Sequence, residues 1–246
     1  MCRHLAYLGE PVTLGQVLVD PEWALLRQAW APRQQTHGVV NADGFGVGWY
    51  AHGDPIPARY RRDRPIWADG TFADLARVVR SGALLAAVRS ATPGMALGEN
   101  AAAPFVHRRW LFSHNGVIKG FPDSCAQLSA TLPTERILAL EAPTDSALLW
   151  ALVHDRLDNG TALGDALSQV VALVEGSCQA RLNLLATDGK QIAATTVGNS
   201  LSVLSAPGRI VVASEPHDGD PGWRQVPDRH LLVATADSVS VTPLKP

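Results

Sequence analysis

The order of elements along this chain predicts an α+β fold in which stacked antiparallel sheets are covered by helices. Strand-like segments open the sequence, two helical segments sit side by side in its middle, and strand-like segments return towards its end. That order does not fit the alternating β-α-β pattern of a parallel sheet. No repeat, low-complexity tract or linker divides the 246 residues, so one domain over 1–246 is expected. A hydrophobic content of 46% against 18% charged residues suits a folded chain with a sizeable core.

Taken in order, the run up to Leu8 is the first expected strand. Asp20-Pro21-Glu22-Trp23 reads as a helix start, with Asp20 as cap, Pro21 at the first helical position and the helix running to about Trp30. A polar loop, Gln35-Thr36-His37-Gly38, leads to a turn at Asn41-Ala42-Asp43-Gly44 and a strand over 45–50. Glycine weakens a strand unless another backbone or a ligand must approach it, so Gly44, Gly46 and Gly48 predict a close-packed strand beside a site. Their spacing and the lack of a following helix do not match a dinucleotide fingerprint. The Arg- and Pro-rich residues 56–68 suggest a surface hairpin, and Asp69-Gly70 a turn. Phe72, Leu75, Val78 and Val79 give 71–81 a helical period, with Gly82 just past its end.

Residues 84–88 read as a buried strand, and 110–113 as a short one ending at His114-Asn115-Gly116. Two helices follow, over about 144–157 and 161–174, with Asn159-Gly160 as the turn between them. Two strands between 182 and 204 turn about Asp188-Gly189, a hairpin signal. Strands at 209–214, 230–235 and 238–244 complete the chain.

The bulk properties exclude several functions. A net charge of −2 with an isoelectric point near 6.4 carries no basic footprint for nucleic acid. No apolar run approaches the roughly 18 residues of a membrane span. The opening lacks a charged segment followed by an apolar one, so a cytoplasmic protein is expected. Three cysteines, Cys2, Cys125 and Cys178, have neither an even count nor C-x-x-C spacing, which argues against a disulfide framework or a zinc site.

Four places along the chain carry potential chemistry. Removal of Met1 would give Cys2 a free α-amine beside its thiol. A cysteine thiol has a pKa of roughly 8.5 and needs help to ionise near neutrality, and an α-amine with a pKa near ~8 can take its proton. A cysteine near a terminus also fits an inert, half-buried small residue. Arg89, directly after a buried strand, can reach into a cleft and grip a carboxylate with two parallel hydrogen bonds, or form a structural ion pair. The side-chain amide of Asn115 and the neighbouring N–H of Gly116 can form an oxyanion hole, or a two-residue turn. Asp145 at a helix start can cap the helix or receive a ligand's ammonium group.

The order of these places is more informative than any one of them. Cys2, then Val-Arg-Ser-Ala-Thr (88–92), Ser-His-Asn-Gly (113–116) and Thr-Asp-Ser (144–146) resembles the class II glutamine amidotransferases, N-terminal-nucleophile hydrolases with a terminal cysteine. The Asp-Gly-Phe-Gly-Val-Gly-Trp-Tyr strand and Val-Ala-Ser-Glu-Pro (212–216) extend the likeness over nearly the whole chain. The resemblance implies a four-layer αββα sandwich of two antiparallel sheets. It also implies Cys2 as nucleophile with its freed α-amine as base, and Asn115 and Gly116 as the oxyanion hole. Arg89 and Thr92 would hold the α-carboxylate of a glutamyl group, and Asp145 its α-ammonium. No metal and no organic cofactor is implied.

Within that family, Met-Cys-Arg-His-Leu-Ala-Tyr-Leu-Gly and Ala-Val-Arg-Ser-Ala-Thr-Pro-Gly most resemble the branch that hydrolyses γ-glutamyl-hercynylcysteine sulfoxide in ergothioneine biosynthesis. Ser90 and Pro93 stand where ammonia-producing members carry tryptophan and histidine, and these smaller side chains would leave room for a bulky leaving group. A small-molecule γ-glutamyl substrate, with no nucleic acid, membrane or obligate synthase partner, is the expectation. The residues also fit a glutaminase subunit feeding ammonia to a synthase, a catabolic γ-glutamyl peptide hydrolase, or a non-enzymatic binder of γ-glutamyl metabolites. His37 and His114 receive no catalytic role. Glu215 fits either a supporting partner of the site or a turn residue, and Cys2, His4 and His114 lack metal-ligand spacing.

Overall fold

The computed structural model describes residues 2–36 and 38–245. The expectations that fall on Met1 and His37 lie outside the described residues. In chain order the strands are β1 (Arg3–Thr13), β2 (Phe45–Trp49), β3 (Ala58–Arg62), β4 (Arg80–Val88), β5 (Phe105–His107), β6 (Trp110–Ile118) and β7 (Ala180–Thr187). They continue with β8 (Gln191–Thr196), β9 (Ser202–Ala206), β10 (Arg209–Ala213), β11 (Trp223–Gln225), β12 (His230–Thr235) and β13 (Ser238–Pro243). The helices are α1 (Leu14–Leu18), α2 (Leu25–Gln28), α3 (Gly70–Val78), α4 (Ala126–Ser129), α5 (Thr134–Leu138), α6 (Asp145–Asp158) and α7 (Leu163–Glu175).

The strands form two antiparallel sheets, one ordered β11-β9-β10-β1-β4-β2-β3 and the other β13-β12-β8-β7-β6-β5. Side chains alternate across a strand, and β1 shows what each face meets. Ala6 and Leu8 point into a core shared with Leu111, Leu185 and Ala194 of the second sheet. Leu5 and Tyr7 point the other way, onto Leu14, Leu18, Leu25 and Phe72 of the first three helices. The far face of the second sheet presents Phe112, Leu184 and Ala193 to Leu148, Leu152, Val170 and Val174 of α6 and α7. Three cores between four layers make the expected αββα sandwich.

Several elements differ from expectation, each for a local reason. The helix expected from Asp20 to about Trp30 is cut down to the short α2, and a separate short helix, α1, lies before it. Thr13 and Gln16 form a reciprocal capping box that starts α1 earlier, and Asp20-Pro21 lies in the turn between α1 and α2. Residues 56–68 are no hairpin of their own, because β3 pairs back onto β2. Asp69 caps α3 by accepting from the Phe72 N–H at 3.0 Å, and the helix ends at Val78 because β4 already begins at Arg80. Gly82 is therefore a strand residue, set where a Cβ would stand 2.8 Å from the Gly9 carbonyl oxygen. Of the two strands expected in 182–204, β7 and β8 make the hairpin about Asp188-Gly189, while β9 belongs to the other sheet. The strand expected at 110–113 runs on to Ile118, so Asn115-Gly116 is not a turn.

The glycines of β2 mark close packing. A Cβ on Gly48 would stand 2.7 Å from Leu111 of the facing sheet, and one on Gly46 would collide with the Ala103 carbonyl oxygen. Among the described residues no helix is long and apolar enough to cross a membrane.

Candidate active site

The register of the first sheet gathers the chemistry-bearing residues at one end. Arg3 pairs with Val88 and Leu5 with Ala213, which brings Cys2, Arg89 and Ser214 together just beyond their strands. Cys2 is half-buried, with its Sγ 3.9 Å from the Ser90 carbonyl oxygen. The Ser113 Oγ lies 3.2 Å from His4 Nδ1, so this face of β1 looks across to β6 of the second sheet. Burial, helped by the charges of Arg3 and His114, pushes the His4 pKa down to about 3, so the ring is neutral at physiological pH.

Asn115 lies fully buried on that same inward face of β6. Its Nδ2 donates to Ser214 Oγ at 3.3 Å, and the same hydroxyl accepts the His4 N–H at 3.0 Å. Ser214 therefore ties β1 to Asn115 of β6. Asn115 Oδ1 has no partner, and its backbone carbonyl accepts from Asn199 Nδ2 at 2.8 Å. The N–H of Leu182 donates to Val197, away from β6, so Gly116 and Leu182 form a pair without mutual hydrogen bonds. The Gly116 N–H is thereby turned out of that ladder. A Cβ on Gly116 would collide with the Arg181 carbonyl oxygen and with His114 Nε2, so glycine is needed for this approach.

Arg89 is nearly buried and has no carboxylate within 4 Å among the described residues, which removes the ion-pair reading. Its Nη2 donates to the Ala96 carbonyl at 2.8 Å, while Nη1 is buried without a partner. Thr92 is exposed on the loop that follows. Asp43 holds that loop by accepting the Ala91 N–H at 2.8 Å and donating its own N–H to the Arg89 carbonyl at 2.9 Å. Asp145 is not the cap of α6. Thr144 caps it by accepting from Ala147, and Asp145 is the first helical residue. The Asp145 carboxylate, 7% exposed, accepts the N–H of Ile118 at 3.0 Å and of Ser146 at 2.7 Å and has no cationic partner among the described residues.

The opposite face of β1 carries a second device. The fully buried Arg3 donates from Nε to Gln35 Oε1 at 3.1 Å and lies 3.9 Å from the equally buried Glu215. Burial lowers the Arg3 pKa against the opposing pull of Glu215 and Cys2. Glu215 accepts the backbone N–H of Arg33 and of Gln34 at 2.9 and 2.7 Å, so it clasps the 33–36 loop to β1. Glu215 is thus a buried partner of Arg3 and of the 33–34 backbone, which fits the supporting role better than that of a plain turn residue. His114 faces α6, with Nε2 donating to the Arg181 carbonyl at 3.0 Å and Nδ1 3.0 Å from Ser146 Oγ.

Comparison with known proteins decides the family. The family model for class-II glutamine amidotransferases matches residues 19–218. The chain belongs to the class II glutamine amidotransferases. A γ-glutamyl-hercynylcysteine sulfoxide hydrolase of Mycolicibacterium smegmatis is 45% identical over 245 residues, which cover 99% of this chain and 100% of that protein. Its namesake in Mycobacterium tuberculosis is 43% identical, covering 99% of this chain and 97% of the other. Among solved structures, a glutamine aminotransferase class-II domain protein from Silicibacter pomeroyi superposes with a TM-score of 0.70 at 26% identity over all of both chains. The glutamine phosphoribosylpyrophosphate amidotransferase of Bacillus subtilis, at 14% identity and a TM-score of 0.69, shares the fold over 99% of this chain and 49% of its own.

The sequence offers candidate site residues but not the side chains that hold them. Ser214 and Glu215 lie in the quoted 212–216 motif, and Asp43 in the turn before β2, yet nothing in their identity shows what they hold. Asn183, which binds the 197–200 loop through both ends of its amide, carries no sequence signal. Cys125 is buried in the core against α6 and α7, and burial pushes its thiol up to about 11.

Proposed function

We propose that this protein hydrolyses the γ-glutamyl amide bond of γ-glutamyl-hercynylcysteine sulfoxide, releasing glutamate and hercynylcysteine sulfoxide in ergothioneine biosynthesis. The observation that carries this reading is the 45% identity, end to end, with a hydrolase named for that substrate. In this reading the whole chain, 1–246, works as one domain in the cytoplasm on a small molecule. It needs no nucleic acid, membrane or obligate synthase.

The steps follow from the groups gathered around β1. Once Met1 is removed, the α-amine of Cys2 takes the thiol proton, and the thiolate attacks the γ-carbonyl carbon. The carbonyl electron pair moves onto oxygen, where the Asn115 amide and the Gly116 N–H stabilise it. Collapse breaks the C–N bond, the amine leaves with the proton held by the α-amine, and a thioester remains. Water then attacks the thioester, gives up a proton to the amine, and frees glutamate and the thiol. Arg89 Nη1 and Thr92 take the substrate's α-carboxylate, and the Asp145 carboxylate its α-ammonium. None of these steps calls for a metal or organic cofactor.

The large leaving group supplies binding energy far from the scissile bond, which glutamine cannot, and Ser90 and Pro93 leave it space. Purified protein, assayed alone for glutamate release, should therefore show a kcat/KM for the sulfoxide at least about a hundredfold above that for glutamine, roughly 2.7 kcal/mol. Equal use of both, or glutamine turnover that rises sharply on adding a synthase, would favour a glutaminase subunit instead.

A further inference from the structure

We propose that the cavity at the open end of β6 and β7 receives the leaving group, and that Arg181 binds the carboxylate an amino-acid leaving group carries beside the scissile nitrogen. This rests on the γ-glutamyl hydrolase reading above and names what that site prefers to release.

The location follows from the register. Asn115 faces Asn183 across the two strands, and the next pair on the same face is Val117 with Arg181, about 7 Å further along. Both Val117 and Arg181 line a cavity of about 410 Å³. It thus continues the face that carries Asn115.

Its chemistry favours an anion. Arg181 Nε is buried without a partner, and no carboxylate stands within 4 Å of its guanidinium among the described residues. A buried cationic donor left unpaired is costly, and an arriving carboxylate satisfies it with matching planar geometry. Lys119 adds a second positive charge, its Nζ donating to Gln179 Oε1 at 3.2 Å. The one carboxylate on the wall, Glu175, is already gripped by both ends of the Arg229 guanidinium at 2.6 and 3.1 Å. Arg181 is also held in place. Its backbone carbonyl accepts from His114 Nε2, and its stem lies so close to Gly198 that a Cβ there would stand 2.9 Å from Arg181 Cγ.

Glutamine releases ammonia and offers this cavity nothing. A γ-glutamyl amino acid offers a carboxylate one carbon from the amide nitrogen. Arg181 is then a specificity-determining residue, selecting amino-acid leaving groups over ammonia.

The test compares the processed full chain with Arg181→Met, which keeps the stem against Gly198, on γ-glutamylcysteine, γ-glutamylcysteinamide and glutamine. Arg181→Met should lower kcat/KM for γ-glutamylcysteine at least about tenfold, mainly through KM, and Arg181→Lys should recover part of it. Rates with the amide and with glutamine should stay within about twofold. Calorimetric titration with S-methylcysteine sulfoxide reads the cavity without turnover, and Arg181→Met should weaken its binding at least about tenfold. A uniform loss on all three substrates, or equal binding of the probe by both proteins, overturns the proposal. Wild-type protein that cleaves no γ-glutamyl compound defeats the hydrolase reading instead, and the titration still decides the cavity.

Discussion

Around Cys2, the side chains of Arg3, His4, Arg89 and Asn115 each keep one buried polar atom without a partner. Near the start of β6, His107, His154 and Asp158 form an equally polar cluster that spends its hydrogen bonds on itself. Both Asp158 oxygens accept from His107 Nε2, and Arg136 and Arg108 add charge-assisted contacts at 2.6 and 3.2 Å. His154 Nδ1 accepts from Arg136 at 2.9 Å, and its ring stacks on His107. Trp150 beside it keeps one unpartnered indole N–H. The three residues could in geometry surround a cation, yet two arginines already hold the carboxylate. Titratable residues alone therefore do not mark a site here. The difference lies in how many neighbouring side chains keep an unsatisfied polar atom, four around Cys2 against the Trp150 indole beside His154 among the described residues.

The largest contrast should come from truncating one residue in each cluster. Asn115→Ala is expected to lower kcat by about 10²–10³, the effect of losing one oxyanion donor. Asp158→Asn should destabilise the fold, read by urea denaturation, yet leave kcat/KM of the folded protein within about twofold. A kinetic loss of similar size in both would erase the distinction.

A smaller contrast concerns the clamp. Arg89→Lys and Asp145→Asn should each lower kcat/KM at least about tenfold, or roughly 1.4 kcal/mol, since lysine loses the planar fork and asparagine the charge. With glutaric acid monoamide, which lacks the ammonium group, the Asp145→Asn loss should shrink towards nothing. Should it persist, Asp145 serves the fold through Ile118 and Ser146 and not the substrate.

The smallest effect is on pH-dependent stability. Burial and the neighbouring cations lower the His154 pKa to about 3, whereas an unfolded histidine protonates near ~6.5. Between those values the unfolded chain binds more protons, so stability falls as pH drops through this window. Asp158, held low mainly by Arg136 and His107 against its burial, acts in the same direction at the acid end, its contribution being lost as pH falls through its lowered value. His154→Gln should flatten the decline in the denaturation midpoint across this window while leaving the pH profile of kcat/KM unchanged.

How far the sequence reaches differs between these regions. The antiparallel layering and the helix pair follow from hydrophobic period and local residue chemistry, which act within a few neighbours, whereas the candidate site residues are read from the order of their motifs and its resemblance to a family. Asn115 was legible as a polar residue beside glycine, but its turn-like Asn-Gly context hid that β6 runs through it to Ile118. The early start of α1 rested on Thr13 and Gln16, which the stronger-looking Asp20-Pro21 signal overshadowed. Ser214, Glu215 and Arg181 act through partners roughly 67 to 212 positions away in the chain or through a cavity wall, and local pattern carries no record of such contacts. The saturation of the His107 cluster is likewise a three-dimensional fact.

The central claim is that Cys2 becomes glutamylated and uses its own α-amine to do so. The direct measurement is glutamate release set against intact mass, on preparations with and without Met1, with peptide mapping of samples quenched during turnover. Only protein lacking Met1 is expected to turn over, with one added glutamyl group carried on Cys2. Full turnover by a folded species that retains Met1, or a glutamyl group on any other residue, would contradict it.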